Sequence, residues 1–201
     1  MRRPSNSNPR PTIYDGTSYL PWSHSMISYL RSQGCLCAVL DPTTLDPALD
    51  DQYDYFDNLV ARNIILFHLS PLLQSRYSHL TSAPLIWSTL REDYKATLCP
   101  DTIRQALYDT TLLYCNRNID LYIQKVTSRV EEYNFVSERH KISKQEHVFI
   151  LLRGLMTTGK GDKRGWREFC EAAKHRVREQ PEMLVALMQE HERRCRMRVG
   201  R

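Results

Sequence analysis

The chain has 201 residues, 41% of them hydrophobic and 25% charged, with a net charge of +5; that is enough for one domain or two lobes of about a hundred residues around a real core. No apolar run approaches the roughly 20 residues of a membrane span, and the opening Met1–Pro11 lacks the hydrophobic segment of a secretory signal. The six cysteines are irregularly spaced, which argues against a disulfide framework and for reduced thiols in a cytoplasmic protein.

Residues 1–12 form a proline-rich arm in which Arg2, Arg3 and Arg10 stand with no acid, a composition expected to be disordered. Pro21 suits a helical first turn, after which Trp22, Met26, Tyr29 and Leu30 share one face until Gly34 ends the helix. Cys35–Leu40 reads as a brief strand or an extended link. Residues 41–60 then hold Asp41, Asp46, Asp50, Asp51, Asp54 and Asp57 with no Lys or Arg. Tyr53, Phe56, Val60, Ile64 and Phe67 mark a second, long helix whose acidic start complements the positive helix end. Pro71 begins a short third helix. Thr81 or Ser82 caps a fourth carrying Trp87, Leu90 and Tyr94, and Asp101 caps a fifth with Ile103, Leu107 and Tyr114 inward.

Asn116-Arg117-Asn118 is the expected boundary between a lobe over 13–115 and a second over 118–195. Ile119, Ile123, Val126, Val130 and Tyr133 then share a helix face. Ser143 and Glu146 have the spacing of a capping box ahead of Val148, Leu151 and Leu152, with Gly154 closing that helix. A glycine-rich basic loop precedes two more helices, one bearing Trp166, Phe169, Ala173 and Val177, the other Leu184, Leu187, Met188 and His191. Residues 196–201 are the basic tail. Period-two alternation is scarce, so the fold class is all-α.

Four phrases along residues 13–195 carry a resemblance. Gly16 and Tyr19 lead to Trp22 and Met26; Ala83 leads to Trp87, Leu90 and Tyr94; Leu151, Leu152, Gly154 and Leu155 follow; and Pro181–Leu184 runs into Glu190–Arg193. In this order and spacing they resemble the Gag capsid region of copia-type LTR retrotransposons. Ser18 stands where that family usually has Asn, and Met156 where it has Pro. The resemblance implies a two-lobed, helical capsid-like fold. It also implies a cytoplasmic structural protein, not an enzyme, which assembles with its own copies into pentamers and hexamers of virus-like particles and packages RNA. No cofactor, membrane or small-molecule substrate is implied. Many relatives continue into a zinc knuckle, and this sequence contains no such cysteine–histidine spacing. The alternative is a gag-derived soluble helical adaptor or dimer that binds, or interferes with, a partner capsid without forming shells.

Other signals are weaker. Gly154 through Lys160 matches the first seven positions of a phosphate-binding loop, but residue 161 is Gly where a hydroxyl would hold magnesium, and the stretch follows a helix. A helix C-cap glycine before a basic loop is the preferred reading. Cys170, His175, His191 and Cys195 have ligand chemistry, yet Cys170, His191 and Cys195 fall on apolar faces, where a cysteine is a small hydrophobe. No nucleophile assembly stands out, and no metal site is expected. Trp22, Trp87 and Trp166 lie at helical spacing and are expected as core anchors. Arg193, Arg194, Arg196, Arg198 and Arg201 concentrate charge without adding core, which suits salt-dependent phosphate contact with RNA. Asp50, Asp54 and Asp57 are expected to meet Lys163, Arg164 and Arg167 of a neighbouring copy during assembly.

Overall fold

The computed structural model describes residues 10–39, 55–137, 139–157 and 165–199, the side chains of Cys37, Ala38, Tyr55, His175, Arg198 and Val199 excepted. These residues are helix and connecting loop, with no strand among them, and the fold is all-α. Two compact units divide the chain, Met1–Thr97 and Leu98–Arg201.

The first unit contains α1 (Tyr19–Ser32), a 3-10 turn (Leu36–Val39), α2 (Tyr55–Phe67), α3 (Pro71–Tyr77) and α4 (Ala83–Thr97). Gly34, at φ +80°, ends α1 as its position predicts. The segment after it, expected as a brief strand or an extended link, holds the 3-10 turn, whose Val39 is buried. Ahead of α1, Tyr14 N–H donates to the His68 carbonyl and Ser70 N–H donates to the Tyr14 carbonyl, both at 2.8 Å. Of the expected arm, residues 10–12 therefore belong to the described structure, and Pro11 is buried.

The apolar residues that mark α2 in the sequence are not its buried face, and Tyr53 among them lies outside the described residues. Ala61 and Ile65 are buried, whereas Phe56 is 68% and Phe67 is 72% exposed. The segment Leu59–Phe67 is apolar on more than one side, so periodicity alone does not choose its buried face. Polar contacts fix it in place. Asn58 Oδ1 accepts from Ala83 N–H at 2.8 Å, capping α4 from outside its own sequence. Arg62 donates to the carbonyls of Leu80 and Ser78, each at 2.8 Å, and so binds the turn after α3.

The second unit contains α5 (Pro100–Asp109), α6 (Ile119–Val136), α7 (Lys144–Met156), α8 (Trp166–Glu179) and α9 (Met183–Val199). The helix expected inside the first lobe, α5, packs on α6 and α7 and belongs here. Cys99 precedes Pro100 as its N-cap residue, and Asp101 lies in the first turn instead of capping it. The expected boundary at 116–118 is a tight turn within this unit. Asn116 and Arg117 both adopt positive φ (51° and 58°), Arg117 N–H donates to the Leu112 carbonyl at 2.9 Å, and Asn118 then caps α6 through Leu121 N–H at 3.1 Å. Because α5 stops at Asp109, Tyr114 is not on its inward face; it is 63% exposed.

Ser143 Oγ accepts from Glu146 N–H at 3.1 Å, the N-terminal cap that the spacing predicts for α7. Gly154 does not terminate that helix. It is buried in the helix body, and α7 continues to Met156. Trp166, Cys170, Ala173 and Val177 of α8 and Leu184 and Met188 of α9 join α5–α7 in one core. The expected tail is also helical as far as Val199, since Glu190–Arg194 and Glu192–Arg196 are successive i,i+4 pairs of good helix formers.

Candidate functional site

In the first unit the two tryptophan phrases meet. Trp22 stacks on Trp87 with ring centroids 5.7 Å apart, and Tyr19 stacks on Tyr94 at 5.4 Å. Tyr14 closes the cluster, stacked on Trp22 at 4.9 Å. Trp22 is buried and Trp87 is half-buried, so both act as packing anchors, with Trp87 at the rim. Burial raises the phenol of Tyr14 to about 12 and pushes that of Tyr19 up as well. Beside this cluster the Tyr77 hydroxyl donates to Asp93, which Arg76 also meets at 2.9 Å. These are neutral, enclosed rings at physiological pH, suited to rigidity and unsuited to proton transfer.

In the second unit Trp166 is buried against His191, with centroids 4.7 Å apart, and against Phe169 at 5.4 Å. A groove of about 350 Å³ opens between α8 and α9, floored by Phe169, Ala173 and Leu187 and rimmed by Arg176, His191 and Arg194. Cys195 Sγ lies 3.5 Å from His191 Nε2 on the same helix. Cys170 points elsewhere: its thiol donates to the Leu152 carbonyl at 3.6 Å, and burial lifts its pKa to about 11. Among the described residues no three His, Cys, Asp or Glu side chains gather closely enough to hold a metal ion.

The arginines singled out from sequence carry partners that the charge count missed. Glu190 meets Arg194 at 2.8 Å and Arg193 at 3.3 Å. Glu192, only 6% exposed, meets Arg196 at 3.0 Å. The Arg194 hydrogen bond, helped by Arg193, holds the Glu190 carboxyl below its ordinary range. The i,i+4 and i,i+3 spacings are plain in the sequence once the helix is known to extend this far. All three arginines remain exposed, so they keep outward donors for phosphate, but with less net positive field than the residue count implies. Arg198 lies on α9 with its side chain outside the described set, and Arg201 lies outside the described residues.

No family model matches the chain, and no curated protein or solved structure matches it. The site is therefore read from its own chemistry. Of the expected assembly residues, Asp57 is half-buried in the first turn of α2 and Arg167 is exposed in the first turn of α8. Asp50, Asp54, Lys163 and Arg164 lie outside the described residues, as does Lys160 of the phosphate-loop match. Gly154, which begins that match, is occupied by helix packing: its carbonyl accepts from Leu112 N–H at 3.2 Å. No helix of the described residues is long and apolar enough to cross a membrane.

Proposed function

We propose that the protein is a structural, Gag-type capsid subunit that self-assembles into shells and packages RNA. The observation that carries the reading is the convergence of the phrases behind the resemblance. Tyr19 and Trp22 from one phrase pack on Trp87 and Tyr94 from another more than sixty residues later. Leu151, Leu152 and Leu155 of the third join Leu184 of the fourth in the second core. The phrases thus read as core signatures of two small helical units, which is the role they would have in a two-lobed capsid fold.

The shell would arise from repeated, individually weak contacts between copies around closed symmetry axes. The exposed α2 residues Phe56, Val60 and Phe67 and the charges of Asp57 and Arg167 supply surface for such contacts. RNA would meet the arginines of α9. No enzymatic role enters this reading.

Electron microscopy of the purified protein, with light scattering and the 260/280 absorbance ratio on the same fractions, tests it. Closed particles with a high ratio are expected. A clean monomer or dimer throughout a salt series would overturn the shell and favour a gag-derived adaptor.

A further inference from the structure

The described α9 arginines all have carboxylate partners; two arginines elsewhere in the second unit do not. Arg104 on α5 and Arg153 on α7 converge on a single ring. Arg104 stands one turn before Tyr108 on the same side of α5, and Arg153 Cζ sits 4.8 Å from the Tyr108 ring centroid. Both are exposed, and neither makes an ion pair among the described residues. Two exposed guanidiniums beside one tyrosine, neither of them in an ion pair among the described residues, are an arrangement that an anion between them would stabilise.

The surroundings extend this field. Residues 139–153 carry Arg139, Lys141, Lys144 and Arg153, all exposed, against the single acid Glu146. Glu146 acts on Arg104 only through space and forms no ion pair with it. One turn before Arg153, on the same side of α7, Phe149 is 60% exposed. A flat apolar ring among these exposed cations suits a ligand that offers both phosphates and planar bases. An acidic protein surface would satisfy the cations and leave the ring idle.

We infer that the α5–α7 face, formed by Arg104, Tyr108, Phe149 and Arg153, binds single-stranded nucleic acid, with phosphate on the two guanidiniums and a base on Phe149. The inference rests on the RNA part of the proposed function and moves the main interaction from α9 to this face. Tyr108 is a positioning residue: its ring underlies Arg153 and it touches no ligand.

Fluorescence anisotropy of the full chain with labelled oligouridylate, over a salt series, tests it. R104Q/R153Q is expected to weaken binding about tenfold or more and to flatten the salt dependence by about 0.7 for each phosphate no longer neutralised. F149A is expected to weaken binding about tenfold with the salt slope unchanged. R193Q/R194Q/R196Q is expected to weaken binding less than R104Q/R153Q. Arg104, Phe149 and Arg153 are exposed, so thermal unfolding of R104Q/R153Q and F149A should stay as in the wild type. Wild-type affinity in both R104Q/R153Q and F149A overturns the inference while leaving RNA packaging through α9 in place. No binding by the wild-type chain at low salt overturns RNA packaging and this site together. Polyglutamate bound more tightly than oligouridylate, and released by R104Q/R153Q, overturns it in favour of an acidic protein partner. Shell formation is scored separately by microscopy: shells without RNA in R104Q/R153Q support the inference, and RNA binding without shells in the wild type sinks only the capsid reading. Oligodeoxythymidylate bound as tightly as oligouridylate supports the face as a general single-strand site.

Discussion

Tyr122 on α6 fills the space that a side chain at Gly154 on α7 would need. Its hydroxyl donates to the Leu151 carbonyl at 2.8 Å. A Cβ built at 154 would clash with that hydroxyl and lie 2.9 Å from the Thr110 carbonyl. Close approach, not left-handed backbone, is why this position takes glycine.

Gly154→Ala should therefore destabilise the second unit by about 1–3 kcal/mol through overpacking. Tyr122→Phe should cost about 0.5–1.5 kcal/mol by removing the hydrogen bond. Since the phenylalanine also removes the nearest clashing atom, the double variant should cost less than the sum. Urea midpoints of the four proteins check this; strict additivity would show that the hydroxyl and residue 154 do not compete.

The buried face of α2 makes a paired prediction. Ile65→Ala should cost about 2–5 kcal/mol, since Ile65 is fully enclosed. Phe67→Ser should change the stability of the isolated subunit by only about 0.5 kcal/mol or less. If Phe67 instead lies in a contact between copies, the same change should lower particle yield. Thermal melts and light scattering separate the two effects.

Cysteine chemistry should be sharply ranked among the described thiols. Cys99 is exposed, and hydrogen bonds from the Thr102 hydroxyl and amide lower its thiol pKa. Cys35, Cys115 and Cys170 are buried, and burial raises the thiols of Cys115 and Cys170. Iodoacetamide followed by peptide mass mapping should label Cys99 well before those three, and Thr102→Val should slow it. Equal labelling of Cys170 would mean that the α7–α8 contact opens readily.

Acid should loosen α9 locally. The Glu190 carboxyl is held below its usual value by Arg194 and Arg193, so its folded pKa is depressed. A depressed carboxylate contributes above its unfolded pKa and loses that contribution as pH falls through the folded value. Amide protection factors over Glu190–Val199, taken relative to the intrinsic exchange rate at each pH, should therefore fall below the ordinary glutamate range and stay flat from there up to neutral pH. Glu190→Gln should abolish the pH dependence; an unchanged profile in that variant would assign it to another carboxylate.

Several helices were legible from residue order because their start and stop signals are local. Ser143 ahead of Glu146 and Gly34 after Ser32 each act within one turn. The tryptophan phrases were legible for the same reason, as apolar residues at helical spacing. The candidate nucleic-acid face was not. Arg104 and Tyr108 lie some forty-five residues before Phe149 and Arg153, and a count of basic residues favours the denser run near the C-terminus.

By itself the sequence determined the all-α class, most helix starts and the anchor residues, because caps and 3.6-residue periodicity depend on neighbours a turn away. Tertiary structure alone decided that α2 buries Ala61 and Ile65 in place of Phe56 and Phe67, that α5 belongs with α6 and α7, and that Gly154 is a point of close approach. It also decided which arginines are neutralised, since Glu190 and Glu192 reach Arg194 and Arg196 only while the helix extends past them. These outcomes depend on which surfaces meet, and an apolar or charged residue carries no local mark of the partner it will find.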